Sequence, residues 1–201
     1  QPPCHCMYET RWRKPPRSEK RPSVRQPSIP PMVDPATRLV QFTPMVAADV
    51  AMIAELEKVA YAHPWTAGNL LDAVHHLNHA QLLVCEPAPT DVSPWRNADG
   101  HLIIGYFVAM QAVDEVHLLN ITVAPLFRRQ GWAQLMLSAL ATWAAGRQAT
   151  SLWLEVRESN HGALALYEHV GFKRVAVRKR YYPLKTNQRE DAVVMQLTLN
   201  P

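Results

Sequence analysis

The residues able to do chemistry begin with the run Arg128-Arg129-Gln130-Gly131-Trp132-Ala133. A strand-like segment, residues 118–123, passes through Pro125 into this basic, glycine-containing turn. An alanine- and leucine-rich stretch with helical periodicity and no proline follows over residues 132–145. Such a turn leaves backbone N–H groups unpaired at a helix N-terminus, where the helix dipole adds positive potential, so it favours an anion such as a pyrophosphate. Gly131 lets the backbone approach the anion, and Ala133 keeps the first helical turn slim. Taken alone, the pattern fits an ordinary helix start beside surface arginines equally well.

Three side chains further along extend the chemistry. Glu155, in Leu152-Trp153-Leu154-Glu155-Val156-Arg157, stands at the C-terminal end of a predicted strand, where open α/β sheets bind ligands. A carboxylate there can take a proton from an α-amine of pKa about 8. A solvated strand glutamate between buried Leu154 and Val156 would have the same sequence. Tyr167 lies at helical spacing from Leu164 and Val170, as a core aromatic would. A phenol of pKa about 10 can also act as a proton donor. Asn160, just before that helix, suits an N-cap or a hydrogen bond to a ligand.

The elements that must position these groups read as follows. Residues 38–43 form a first strand, and residues 44–63 a helix with Val46, Val50, Ile53, Leu56 and Ala60 on one face. His63-Pro64-Trp65 breaks that helix, and Thr66 caps a second one through Leu77. Residues 81–85 form a strand, and the proline-bearing stretch 87–100 a long hairpin loop. Strands 102–111 and 116–123 pair antiparallel about Val113-Asp114-Glu115. After the central helix come strand 150–156 and the short helix 162–170, which Gly171 closes, then a hairpin of 173–182 against 192–199.

In this order the segments resemble the GNAT superfamily of acetyl-CoA-dependent N-acetyltransferases. The combination L-W-L-E-V-R, S-N, A-L-Y, G-F, Y-Y-P and R-E-D-A, the last two being Tyr181-Tyr182-Pro183 and Arg189-Glu190-Asp191-Ala192, is narrower. It resembles the bacterial ribosomal-protein-alanine N-acetyltransferases, the RimI type. The likeness spans residues 39–199 and is tight from 115 onward.

The resemblance implies an α/β (α+β) fold: one central mixed, mostly antiparallel sheet flanked by about four helices. It implies acetyl-CoA as co-substrate and no metal. It implies acetyl transfer to the N-terminal alanine amine of a small-subunit ribosomal protein, with Glu155 as general base and Tyr167 as general acid. Backbone amides of Ile121, Thr122 and Val123 would meet the pantetheine arm and the thioester oxygen. The turn Arg128, Arg129, Gln130, Gly131, Trp132, Ala133 and Gln134 would take the pyrophosphate, and Asn160 would bond the pantetheine or the phosphate end. Two positions depart from the family pattern: Ala133 replaces a frequent glycine, and Ala124 replaces the acidic residue usual before the proline. His63-Pro64-Trp65 would line the acceptor groove, with Tyr181, Tyr182 and a turn at residues 189–191 opposite. The alternatives are a lysine or small-amine acetyltransferase on the same fold, and a non-catalytic acyl-CoA-binding or ribosome-associated module.

Composition bounds the rest. With 48% hydrophobic and 19% charged residues, 201 residues suffice for one sizeable α/β domain, expected over residues 37–201. No apolar run reaches the roughly 18 residues of a membrane span. The net charge of +4 belongs to one end of the chain. Residues 1–31 hold seven basic and two acidic side chains, +5 in all, which leaves −1 for residues 32–201. That proline-rich tail lacks a hydrophobic period, so residues 1–36 are expected to be disordered. It reads either as a basic arm toward ribosomal RNA or as an extension upstream of a start at Met32. Any nucleic-acid contact is confined to it. Cys4, Cys6 and Cys85 make no disulfide framework, and Cys4-His5-Cys6 lacks a second metal-binding pair. A reducing, cytoplasmic setting without membrane attachment is the expectation.

Overall fold

The computed structural model describes residues 39–76, 79–184 and 188–199. The basic tail with Cys4-His5-Cys6, and the Leu77 end expected for the second helix, lie outside these residues. Among the described residues, seven strands form one mixed sheet: β1 (Val40–Pro44), β2 (His79–Cys85), β3 (Leu102–Gln111), β4 (Glu115–Val123), β5 (Ser151–Arg157), β6 (Lys173–Pro183) and β7 (Arg189–Thr198). Their order is β1-β2-β3-β4-β5-β7-β6. The helices are α1 (Val50–Ala60), α2 (Ala67–His75), α3 (Trp132–Gly146) and α4 (His161–Val170). Every neighbouring pair is antiparallel except β4 with β5, which α3 connects by a crossover. This is the expected fold class.

The first helix is shorter than its periodicity suggests. Pro44 ends β1, a single 3-10 turn occupies Ala47–Asp49, and α1 starts at Val50. Val50, Ile53, Leu56 and Ala60 are buried, but Val46 is 47% exposed. Val46 precedes the turn in extended backbone (φ −114°), so it never joins the helical face. Asp49 fixes this entry by accepting from the N–H of Val46 and from Ala98 of the long loop at 2.7 Å. Thr66 caps α2 as expected, with its hydroxyl accepting from Asn69 N–H and the Asn69 side chain accepting from Thr66 N–H. The expected turn at residues 189–191 is instead the start of β7, whose Glu190 pairs with Tyr182 of β6.

Two irregularities shape the centre of the sheet. Leu119 is an extra residue in β4, because Ala109 faces Leu118 while Val108 faces Asn120. Farther along, the β4–β5 register runs from Glu115↔Ser151 only to Leu118↔Leu154. Beyond that point β4 continues to Val123 and β5 to Arg157 without pairing each other, which opens a wedge. On the other side of β4, β3 comes very close: a Cβ on Gly105 would stand 2.4 Å from the Thr122 carbonyl oxygen. Glycine is therefore required there by proximity.

Candidate active site

The donor side of the wedge is built mostly from main chain. Antiparallel ladders alternate the direction of their amides, and Ala124 N–H donates to Ile104 O at 2.9 Å. Thr122, two residues back and opposite Tyr106, therefore turns its amide to β3 as well. The amides of Ile121 and Val123 face the wedge. Of the three residues expected to offer amides, Thr122 departs: its N–H belongs to the ladder, and its side chain is held in the core.

After β4 the chain makes a 3-10 turn at Pro125–Phe127 and then curls through two left-handed residues, Arg129 (φ 68°) and Gly131 (φ 85°). A Cβ on Gly131 would meet nothing within 4 Å, so the glycine is there for its dihedral angle. α3 starts at Trp132 without a side-chain cap, and the amides of its first turn have no acceptor within the helix. These amides and the positive end of α3 face a cleft of about 450 Å³, also lined by Val123, Arg129 and, from α4, Gly162 and Ala165. The small α4 residues keep that wall low.

The turn's other long side chains make bonds within the protein, and Arg128 lines the cleft as well. Arg128 folds back, donating to Val123 O at 3.2 Å and to Ala60 O at 3.5 Å. Gln130 donates to Leu126 O and accepts from the Trp132 indole, stapling the turn. Asn160 is the N-cap of α4, its side chain accepting from Ala163 N–H at 3.2 Å. All three therefore also support the loop and the helix.

On β5, Trp153, Glu155 and Arg157 share the face opposite Leu152, Leu154 and Val156. The Glu155 side chain is 13% exposed, and Arg178 Nε of β6 meets its Oε1 at 2.9 Å. Its Oε2 is buried and accepts no hydrogen bond from the described residues. Glu155 borders a second cavity of about 370 Å³, together with Leu118 and Leu154 at the apex of the wedge and Trp153, His117 and Tyr181. Tyr167 of α4 is 1% exposed and packs on Phe172 with ring centroids 5.7 Å apart. Burial drives its pKa well above the phenol range, so the hydroxyl stays protonated.

The expected acceptor side proves to be knotted together. Arg157, 1% exposed, donates to Glu190 and to Pro183 O and lies 4.6 Å over the Tyr182 ring. Tyr182 in turn donates to Glu155 O at 3.2 Å. Asp191 pairs with Lys179 at 2.7 Å and accepts from Arg180 N–H, while Arg189 donates to the carbonyls of Arg180 and Tyr181. Glu190 and Asp191 therefore hold the β6–β7 hairpin under Glu155. Across the wedge, Trp65 is buried and Ala62, His63 and Pro64 of its loop are partly open.

One group in this region is not singled out by the sequence patterns above. Glu57 of α1, 1% exposed, accepts from Tyr106 Oη at 2.8 Å, from Thr122 Oγ1 at 2.9 Å and from Trp65 N–H at 2.9 Å. Burial raises its pKa, and these hydrogen bonds oppose the rise. Tyr61 Oη lies 2.9 Å from Thr122 Oγ1 and 3.0 Å from Ile121 O. Burial, then the Glu57 charge, push its pKa well above 10.0. The signal for Glu57 was its spacing: it falls four residues after Ile53 and three before Ala60, inside the apolar stripe of α1.

Among the described residues, no group of three or more His, Cys, Asp and Glu stands together to hold a metal, and no helix is long and apolar enough to cross a membrane. Residues 50–172 match the Acetyltransferase (GNAT) family. Over 157 residues, 77% of this chain and 97% of the other, the sequence is 34% identical to a Haemophilus ducreyi protein named ribosomal protein bS18-alanine N-acetyltransferase. The fold matches the crystal structure of the ribosomal-protein-S18-alanine N-acetyltransferase from Escherichia coli with a TM-score of 0.67 at 28% identity, covering 81% of this chain and 96% of that one. It also matches Arabidopsis thaliana NAA60, solved in complex with acetyl-CoA, at a TM-score of 0.67 and 15% identity, covering 81% of this chain and all of that one (100%).

Proposed function

The chain belongs to the GNAT acetyltransferase family, as an acyltransferase of the ribosomal-protein-alanine N-acetyltransferase type, and we propose that it moves acetyl from acetyl-CoA to the N-terminal alanine amine of ribosomal protein bS18. The observation that carries this reading is the 34% identity over 97% of a relative with that name. The wedge between β4 and β5 supports it, since an open cleft lies at the start of α3 and Glu155, a nearly buried carboxylate, borders a second cavity at the wedge's apex.

In this reading the pyrophosphate rests on the amides of residues 131–134, beside the exposed Arg129. The pantetheine arm lies along β4, and the amides of Ile121 and Val123 meet its amides and the thioester oxygen. The acceptor enters past His63 and Tyr181. Glu155 takes the proton of the α-ammonium, the freed nitrogen attacks the thioester carbon, and the C–S bond breaks with its electrons left on sulfur. Tyr167 donates a hydrogen bond to that thiolate. Its raised pKa makes it a reluctant acid, so it stabilises charge on sulfur first, passes its proton late and is reprotonated by the second proton that the acylated nitrogen sheds. Asn160 holds α4, and through it Tyr167, in place. Arg128, Gln130, Trp132 and the slim Ala133 shape the phosphate turn, and Gln134 adds an amide. The setting is the cytoplasm, with acetyl-CoA and the protein N-terminus as the two partners.

Intact-mass analysis of a peptide that begins with free alanine and also contains lysine, incubated with acetyl-CoA, tests the acceptor. One acetyl group on the α-amine is expected. Acetyl on the lysine with the α-amine untouched moves the enzyme to the lysine-acetyltransferase reading. Incorporation at neither amine supports a non-catalytic module.

A further inference from the structure

Glu57 is a carboxylate placed where α1 would otherwise bury an apolar side chain, in the helix's buried stripe with Ile53 and Ala60. Burying a charge is unfavourable unless hydrogen bonds compensate it, and an apolar side chain of similar size commonly packs there at equal or better stability. What Glu57 adds is connection. Its Oε1 gathers hydroxyls from β3 (Tyr106) and β4 (Thr122), and its Oε2 takes the N–H of Trp65 at the end of the α1–α2 loop. Asn120 extends the link by donating to Tyr106 Oη at 2.9 Å. Asn120 and Thr122 belong to the part of β4 that has already parted from β5. One side chain thus ties a wall of the wedge to the loop that faces the acceptor.

We infer that Glu57 is a positioning residue for the acceptor: its three hydrogen bonds fix the loop at residues 62–65 against the splayed end of β4 and so set the width of the amine's entry. The inference rests on the proposed reading that the amine enters at this wedge.

Steady-state kinetics with the alanine peptide, varying peptide and acetyl-CoA separately, test it on three variants. Tyr106→Phe removes one donor with little change of shape and is expected to raise the peptide KM about fivefold, the scale of one net hydrogen bond. Glu57→Leu, which keeps the volume and drops all three bonds, is expected to raise it by about tenfold or more. Acetyl-CoA KM stays within about twofold in both, because the phosphate turn makes no bond to Glu57. Glu57→Gln restores the peptide KM, since its amide oxygen still accepts from Trp65 and its NH₂ donates to hydroxyls free to rotate. A melting temperature that falls in Tyr106→Phe while the peptide KM holds overturns the inference, as does acetyl-CoA KM rising in step with peptide KM. If Glu57→Leu does not fold, Tyr106→Phe decides alone. Failure of the wild-type protein to acetylate any α-amine overturns the proposed reading and this inference together, whereas wild-type activity with unmoved variants overturns the inference only.

Discussion

Glu57 and Glu155 flank the same wedge, one beneath its β4 side and the other on β5, and both are largely withdrawn from water. They differ in how their oxygens are used. Glu57 accepts three hydrogen bonds from three separate elements and has a raised pKa despite them. Among the described residues, the Glu155 side chain has a single partner, Arg178, and one buried oxygen that accepts nothing. A buried polar atom without a partner is normally avoided, because it forfeits its hydration without replacement. Holding Oε2 open against that tendency suits a group that must accept a proton or an ammonium during turnover. Saturating Glu57 suits a group that must not move. In the proposed reading, two identical side chains within one wedge divide into anchor and reagent by the number of donors aimed at them.

The largest effect expected from this comparison is on stability. Glu57→Ala takes the Glu57 acceptor away from Trp65 N–H, while Tyr106 and Thr122 can still reach Asn120, whose Oδ1 lies 3.3 Å from Thr122 Oγ1. The cavity and the lost hydrogen bond together should destabilise the protein by roughly 3 kcal/mol, measured by urea denaturation. A loss below about 1 kcal/mol would mean that the network is not an anchor.

Glu155→Gln should do the reverse. Its peptide kcat at neutral pH is expected to fall about 10²-fold or more, with unfolding and acetyl-CoA binding nearly unchanged. Calorimetric titration of acetyl-CoA provides the control. Turnover near the wild-type level would remove Glu155 as the base and leave it a hairpin support beside Tyr182.

Much of the donor side was legible in the sequence because it depends on residues with special backbone behaviour. Gly131, the proline-free run after it, Thr66 as a cap and Gly171 at the end of α4 each signal a local conformation. The acceptor side was less legible. Glu190 and Asp191 read as groups facing a basic peptide, yet their partners are Arg157, Lys179 and the Arg180 amide, from another strand or across the hairpin. Which acidic side chains a fold ties internally depends on strand register, and a shift of one residue would reverse it. The wedge itself is a failure of pairing, and no residue type announces it.

A difference in pH dependence sharpens the contrast further. Because burial raises the Glu57 pKa above its ordinary 4.5, the folded protein holds that proton more tightly than the unfolded chain. The stabilisation from protonated Glu57 is complete below about 4.5 and is lost as pH rises through the raised folded value. Glu57→Gln, which cannot titrate, should lack this component. Stability curves for wild type and variant should therefore diverge above pH about 4.5, with the wild type losing ground to the variant. Parallel curves would show that the three donors fully offset burial.

The smallest expected effect concerns Arg178, the partner of the Glu155 carboxylate among the described residues. Its side chain is 55% exposed, and exposed ion pairs contribute about 0.2–1 kcal/mol. Arg178→Ala should therefore change unfolding stability by less than about 1 kcal/mol. Arg178 also lies 5.5 Å over the Tyr181 ring, so it joins Glu155 to the aromatic wall of the same cavity. If it merely steadies the carboxylate, kcat on the alanine peptide should fall no more than about fivefold, the rate equivalent of such a pair. The effect should also shrink as salt is raised, because added ions already weaken an exposed pair in the wild type. A loss comparable to that of Glu155→Gln would break the comparison from the other side. Glu155 would then need its partner as much as Glu57 needs its three, and the open Oε2 would no longer distinguish reagent from anchor.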